Sequence, residues 1–192
     1  GWRRLAITSP TSVCGKSTVT CNLALGLSRQ SDLRTITIEL DLHNPSMAQI
    51  LGHRPERDVT ELISGDVSFA EQSFRVRDNV AISLARRVTS DPTRHLLSQA
   101  MEDRLAEIEE LYAPDLMLFD VPPLLVSDDT RAFLKDVDCA LMVAKAETTS
   151  VAQIDACERE IAEQTNVLGV ALNQCRHVGD TDYGYEAYGQ GQ

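Results

Sequence analysis

Residues 5–18 read Leu5-Ala6-Ile7-Thr8-Ser9-Pro10-Thr11-Ser12-Val13-Cys14-Gly15-Lys16-Ser17-Thr18: an apolar run, a loop of small and polar residues, then the start of an apolar-periodic stretch. This order predicts a strand, a tight loop and a helix N-terminus, with Gly-Lys-Ser at the junction. Such a loop turns the backbone N–H groups of Cys14 to Thr18 toward an anion lying on the helix end. Gly15 lets the backbone approach a phosphate closely, Lys16 reaches the β/γ oxygens, and Ser17 offers a hydroxyl to Mg²⁺. A bare Gly-Lys-Ser recurs by chance, and the pattern's first glycine is replaced by Pro10. The strand–loop–helix setting, rather than the tripeptide, separates a phosphate loop from an ordinary helix start with an exposed lysine. The lysine is expected to be exposed in an empty loop.

Outward from this loop the pattern alternates. Strands are predicted at Leu5–Thr8, Thr35–Leu40, Val80–Leu84, Leu116–Phe119, Ala140–Val143 and Val167–Leu172. Helices are predicted at Lys16–Arg29, Pro45–Leu51, Thr130–Lys135 and Val151–Gln164, with a further short element over Val59–Ser64. One long amphipathic helix is predicted over Thr93–Leu111, carrying Leu97, Met101, Leu105, Ile108 and Leu111 near one face. Alternating strands and helices imply βαβ units and a mostly parallel sheet covered on both faces. The fold class is therefore α/β of the P-loop NTPase type, in a single domain over 1–178. The tail, 179–192, lacks apolar periodicity and is expected to be flexible. It carries Tyr183, Tyr185 and Tyr188.

The chain has 192 residues, 43% hydrophobic and 24% charged, enough for one α/β core. Its net charge of −11 excludes a general nucleic-acid footprint. An acidic chain that binds polyphosphate must concentrate positive potential locally, which puts weight on Lys16. Five cysteines without C-x-x-C spacing read as reduced cytosolic thiols. No signal peptide and no membrane-spanning run stands in the sequence.

In parallel sheets ligands bind beyond the carboxyl ends of the strands. Two strands end there in acids. Ile36-Thr37-Ile38-Glu39-Leu40-Asp41 puts Glu39 and Asp41 on one side of an extended chain. Leu116-Met117-Leu118-Phe119-Asp120 presents Asp120 before Val121-Pro122-Pro123. A carboxylate at the tip of a buried apolar strand is where a nucleotide-bound Mg²⁺ is held. Either acid alone reads equally well as a solvated strand end; both together, in order after Gly15-Lys16-Ser17, make a metal-nucleotide site.

Gly-Lys-Ser, an acid-x-Asp strand end followed by Pro45, and the apolar-Asp-x-Pro-Pro segment together resemble the bacterial tyrosine kinase (BY-kinase) family. The similarity extends to Thr60–Gly65, to Asp91-Pro92 through Leu96-Leu97-Ser98, to Gly169–Asn173 and to the tyrosine-bearing tail. These are cytoplasmic kinase domains controlling capsule and exopolysaccharide synthesis, relatives of the partition and division-site ATPases. The resemblance implies ATP and Mg²⁺ as cofactors. It places Gly15, Lys16, Ser17 and Thr18 at the end of Walker A, Asp41 on the second acid of Walker A′, and Asp120 on the Walker B acid. Asn173 falls on the asparagine that contacts adenine. It further implies transfer to Tyr183, Tyr185 and Tyr188, and a homo-oligomer. Its partner would be a membrane polysaccharide copolymerase, as a separate chain or an upstream segment, keeping the domain at the inner face of the membrane.

The chain departs from the family pattern at several positions. Glu39 replaces Asp, His43 replaces Arg, and Val13-Cys14 replace a Gly-acidic pair. Thr11 stands where partition-type ATPases carry a lysine. A β-branched Val13 is strained if the loop needs φ > 0 there. Two functions follow: a protein-tyrosine autokinase with Lys16, Asp41 and Asp120 as its catalytic residues and Asp41 as base, or a regulatory ATP-binding module that transfers little phosphate. The replaced motif residues favour the second, and the tail tyrosines favour the first.

Overall fold

The computed structural model describes residues 1–176. At its centre lies β5 (Leu116–Asp120), whose Met117, Leu118 and Phe119 are fully buried. Such a continuous apolar run belongs to a strand covered on both faces. It pairs in parallel with β1 (Arg4–Thr8) on one side and β2 (Thr35–Glu39) on the other. Beyond β2 come β4 (Val80–Ser83) and β3 (Phe74–Val76); beyond β1 come β6 (Cys139–Lys145) and β7 (Asn166–Asn173). The order is β3-β4-β2-β5-β1-β6-β7, parallel throughout except for the β3–β4 hairpin. Parallel neighbours need crossover helices, and these cover both faces.

On one face lie α1 (Lys16–Leu27) and α2 (Met47–Leu51), over a core that includes Ile7, Leu118, Ile82 and Val143. On the other lie α3 (Val59–Ser64), α4 (Phe69–Gln72), α5 (Pro92–Leu96), α6 (Gln99–Tyr112), α7 (Asp128–Phe133) and α8 (Val151–Gln164). Their core includes Ile36, Ile38, Leu105, Phe119 and Ile161.

The helix predicted over 93–111 is two helices. Ser98 adopts an extended conformation and its hydroxyl accepts from the Met101 N–H, starting α6 afresh. A serine that can cap competes with the continuing helix, and the apolar stripe hid the break. Met101, Leu105 and Ile108 face the core, whereas Leu97 and Leu111 are exposed. In α1 the buried face is made of Lys16, Ser17, Thr20, Cys21 and Ala24, while Leu25 is exposed. Small side chains let this helix sit close to the sheet, and a reading by large apolar residues misses them. The β3 strand also went unread, because three residues show no periodicity.

The β3–β4 hairpin is fastened to α1 by Asn79, whose Nδ2 donates to the Leu27, Gln30 and Leu33 carbonyls at 3.1, 2.7 and 3.0 Å. Asn79→Ala leaves these part-buried carbonyls without that donor and should destabilise the fold by about 2 kcal/mol. Urea unfolding checks this; a loss under about 0.5 kcal/mol would mean that water serves the carbonyls equally well.

Candidate functional site

β1 and β5 run side by side, with Ile7 opposite Asp120, so their carboxyl ends deliver the loop of residues 9–15 and the Asp120 carboxylate to one place. The Pro122–Pro123 segment locks that junction. Thr8 and Thr130 hydroxyls both donate to the Pro122 carbonyl, and the Leu124 and Leu125 N–H groups donate to the Ser9 and Pro10 carbonyls. Here a cleft of about 460 Å³ opens, lined by the loop and Lys16, Ser17, Thr18, Asp41, His43, Pro122 and Pro123, among others. A second cleft, of about 210 Å³ beside Phe69 and Tyr112, lies at the opposite end of the strands and contains none of the predicted site residues.

Asp120 is 0% exposed and is the hub. Its Oδ2 accepts from Ser17 Oγ at 2.7 Å and lies 3.4 Å from Lys16 Nζ; its Oδ1 accepts from Thr20 Oγ1 at 3.1 Å. Lys16 Nζ is also 2.6 Å from Asp41 Oδ2. Burial pushes the Asp120 carboxyl upward despite Lys16 and the two hydroxyls. Burial also works against the Lys16 charge, but Asp120 and Asp41 more than offset it and hold the ammonium protonated.

The expectation of an exposed Lys16 is corrected: it is 7% exposed. Two carboxylates at the strand ends attract Lys16, among the described residues the only lysine or arginine lining the cleft, and it folds back onto them. Lys16, Ser17, Asp41 and Asp120 are thus brought together as the sequence predicted. Thr20 was not predicted, although it stands one helical turn after Lys16 and three residues after Ser17, on the same face.

Glu39 does not join Asp41 at the cleft. The strand ends at Glu39, so alternation stops applying there, and the carboxylate turns inward. It accepts from the Ser46 and Met47 N–H groups at 2.7 and 2.8 Å and from Ala85 N–H at 3.0 Å. Burial first, and the Asp120 charge next among the raising effects, push its carboxyl up to about 7 against those three donors. His43, at the cleft edge, has its Nε2 3.2 Å from Asp129 Oδ2.

The loop has the left-handed turn that Val13 resists. Val13 stands at φ 66 and Gly15 at φ 85. A β-branched residue in that region carries strain on the order of 1–3 kcal/mol. Gly15 suits this φ, and a Cβ there would lie 2.2 Å from Asn173 Nδ2 and push that side chain aside. Cys14 is buried, its Sγ near the Thr11 and Thr149 hydroxyls at 3.8 Å each. Among the described residues, the N–H groups of Gly15, Lys16, Ser17 and Thr18 have no hydrogen-bond partner. Four unpartnered donors beside a hydroxyl and carboxylates form a donor set that suits a phosphate chain with its metal. Among the described residues no three acids, histidines or cysteines cluster to cage an ion. The Ser17 hydroxyl beside the Asp120 and Asp41 carboxylates fits a Mg²⁺ held by few protein groups together with phosphate oxygens. No helix of the described residues is long and apolar enough to cross a membrane. Tyr183, Tyr185 and Tyr188 lie outside the described residues.

Comparison with known proteins agrees with this geometry. The family model of the CobQ/CobB/MinD/ParA nucleotide binding domain matches residues 5–178. The chain is 27% identical over 188 residues to the tyrosine-protein kinase wzc of Salmonella typhi, covering 96% of this chain and 26% of the relative. It spans about a quarter of the length of the first curated relatives it matches. Among solved structures, the VpsO kinase domain superposes with a TM-score of 0.82 at 25% identity, over 91% of this chain and 85% of that one. Cobyrinic acid a,c-diamide synthase from Mycobacterium smegmatis, with bound ATP analog and magnesium, superposes with a TM-score of 0.73 at 20% identity, over 90% and 72% of the chains.

Two predictions follow from this cage. Glu39 takes up its proton near pH 7 in the fold and near 4.5 when unfolded. The folded chain therefore binds the extra proton between these values, and the stability it contributes is present below pH 4.5 and lost as pH rises through about 7. That loss amounts to about 3 kcal/mol. Glu39→Gln should remove the slope from a plot of unfolding free energy against pH, whatever constant offset its amide adds; an unaltered slope would assign the titration to another group. Lys16→Met strands Asp41 and the buried Asp120 without their cation, so it should destabilise the chain by about 3 kcal/mol at neutral pH. Urea unfolding at pH 7 measures it, and a variant as stable as the parent would contradict the pairing.

Proposed function

The chain belongs to the CobQ/CobB/MinD/ParA family of nucleotide-binding domains, and we propose that it acts within that family as an ATP-dependent protein-tyrosine autokinase domain in exopolysaccharide or capsule synthesis. The observation that carries the reading is the convergence of Lys16, Ser17, Thr20 and Asp41 on Asp120 at the mouth of a cleft lined with unpartnered N–H groups. The kinase names among its relatives and structural neighbours support the choice of tyrosine as acceptor. ATP with Mg²⁺ is supported by the ligands of the cobyrinic acid synthase neighbour.

Phosphoryl transfer needs positioning and charge neutralisation more than covalent help from the protein. The N–H groups of Gly15 to Thr18 would hold phosphate oxygens, with Cys14 part of the same loop. Lys16 would exchange its carboxylate partners for the β/γ oxygens. Ser17 and Asp120, with Asp41 near them, would hold Mg²⁺, which when bound neutralises phosphate charge. The phenol oxygen of an acceptor tyrosine attacks the γ-phosphorus as the bond to the β-phosphate oxygen breaks, ADP leaves, and Asp41 takes the phenol proton. Asn173 would face adenine. The acceptors would be Tyr183, Tyr185 and Tyr188 in the segment 179–192, following a nucleotide-binding domain over 1–178. Transfer would run between copies of the chain assembled with a membrane polysaccharide copolymerase, which would hold the domain at the inner membrane face.

One feature favours the other reading, a regulatory module that binds ATP and transfers little phosphate: Val13 at φ 66, in a turn suited to glycine. Incubation with Mg-ATP followed by intact-mass measurement separates the two. The kinase gains phosphate, mapped by peptide analysis to residues beyond Gly179, and its initial rate per chain rises with chain concentration. A mass that stays constant while calorimetry detects ATP binding would establish the regulatory module. A rate per chain independent of concentration would overturn transfer between copies.

A further inference from the structure

The loop meets a side chain that the phosphate chemistry above does not use. Asn173, the last residue of β7, donates from Nδ2 to the Cys14 carbonyl at 2.9 Å across 159 residues of sequence. Its own backbone is fixed: Asn173 pairs with Lys145 at the end of β6, and its carbonyl accepts from Ala146 N–H at 2.9 Å. The carboxamide therefore hangs from a sheet, a more rigid support than a loop. On the loop side, Cys14 is buried, with its thiol among the Thr11 and Thr149 hydroxyls.

Peptide bonds are planar and trans, so the C=O of Cys14 and the N–H of Gly15 point in opposite directions. Holding the Cys14 oxygen on Asn173 turns the Gly15 N–H the other way, and that N–H has no partner among the described residues. A side chain at residue 15 would displace this contact, since a Cβ there would fall 2.2 Å from the Asn173 nitrogen. Val13 beside it, 81% exposed and at φ 66, has no packing to hold the turn. The restraint must come from elsewhere.

We infer that Asn173 is a positioning residue for the phosphate loop: its carboxamide pins the Cys14–Gly15 peptide so that the Gly15 N–H is set for a phosphate oxygen before any nucleotide arrives. This rests on the proposed phosphate-binding role of the loop. It differs from the base contact that the family resemblance implies, because it acts through the loop and needs no base.

That difference supplies the test. Inorganic tripolyphosphate with Mg²⁺ carries the phosphates without adenine. Calorimetry on the full chain should show that Asn173→Leu, which keeps the side chain's size, and Asn173→Ala both lower tripolyphosphate affinity about tenfold, the scale of one hydrogen bond. Thermal unfolding of the same variants confirms that they remain folded and separates a general loss of stability from a local one. If ATP affinity falls while tripolyphosphate affinity stays at the parent value, Asn173 serves the base alone and the inference is overturned. If the parent binds ATP and tripolyphosphate equally poorly, with no measurable heat, the phosphate-loop reading itself fails and the positioning role falls with it.

Discussion

Everything at the carboxyl edge of this sheet is arranged around one carboxylate that water does not reach. Asp120 ends the central strand of the sheet, where it is fully buried, and an ionised acid in that position is tolerable only if it is surrounded. α1 supplies the surroundings from three successive positions on one face: the Lys16 ammonium, the Ser17 hydroxyl and the Thr20 hydroxyl. That requirement explains why the buried face of α1 is polar and small, and why its N-terminus is drawn tightly against β5.

The cost of this arrangement is carried by charge rather than by volume. Glu39, Asp41 and Asp120 stand at neighbouring strand ends of a chain with a net charge of −11, and among the described residues Lys16 is the only lysine or arginine lining the cleft. The three acids are treated differently. Asp41 takes the lysine, Asp120 takes the hydroxyls and a share of the lysine, and Glu39 is turned away to three backbone donors. With Lys16 neutralising acids, the loop's positive potential comes from backbone dipoles at the helix N-terminus. A polyphosphate with its own cation would reverse this balance, freeing the lysine and giving the acids a new partner.

The loop above the acids shows a related tension. Its backbone follows a left-handed path that glycine adopts freely and valine does not, yet Val13 is held there with its side chain in solvent. Strain of this kind persists only where neighbouring contacts over-determine the conformation. Those contacts are supplied by the buried Cys14 side chain, the Pro122–Pro123 junction and Asn173 at the end of a distant strand.

Much of this was legible in the sequence because it depends on local periodicity. The apolar runs of β5 and β2, the acids that end them and the Gly15-Lys16-Ser17 junction sit at separations that strand and helix geometry translate directly into position. Length and composition limited the chain to one α/β core, and the alternation of elements required a largely parallel sheet. The sequence could not say which way a side chain turns when a strand ends, so Glu39 was expected beside Asp41 and is found facing the interior. Nor could it weigh a serine's capping bond against a long apolar stripe, which is why α5 and α6 read as one helix. The burial of Lys16 and the reach of Asn173 to Cys14 were decided only in three dimensions. Lys16 meets acids 25 and 104 residues away, and Asn173 meets a carbonyl 159 residues away, each brought within hydrogen-bonding range by the order in which the strands pack.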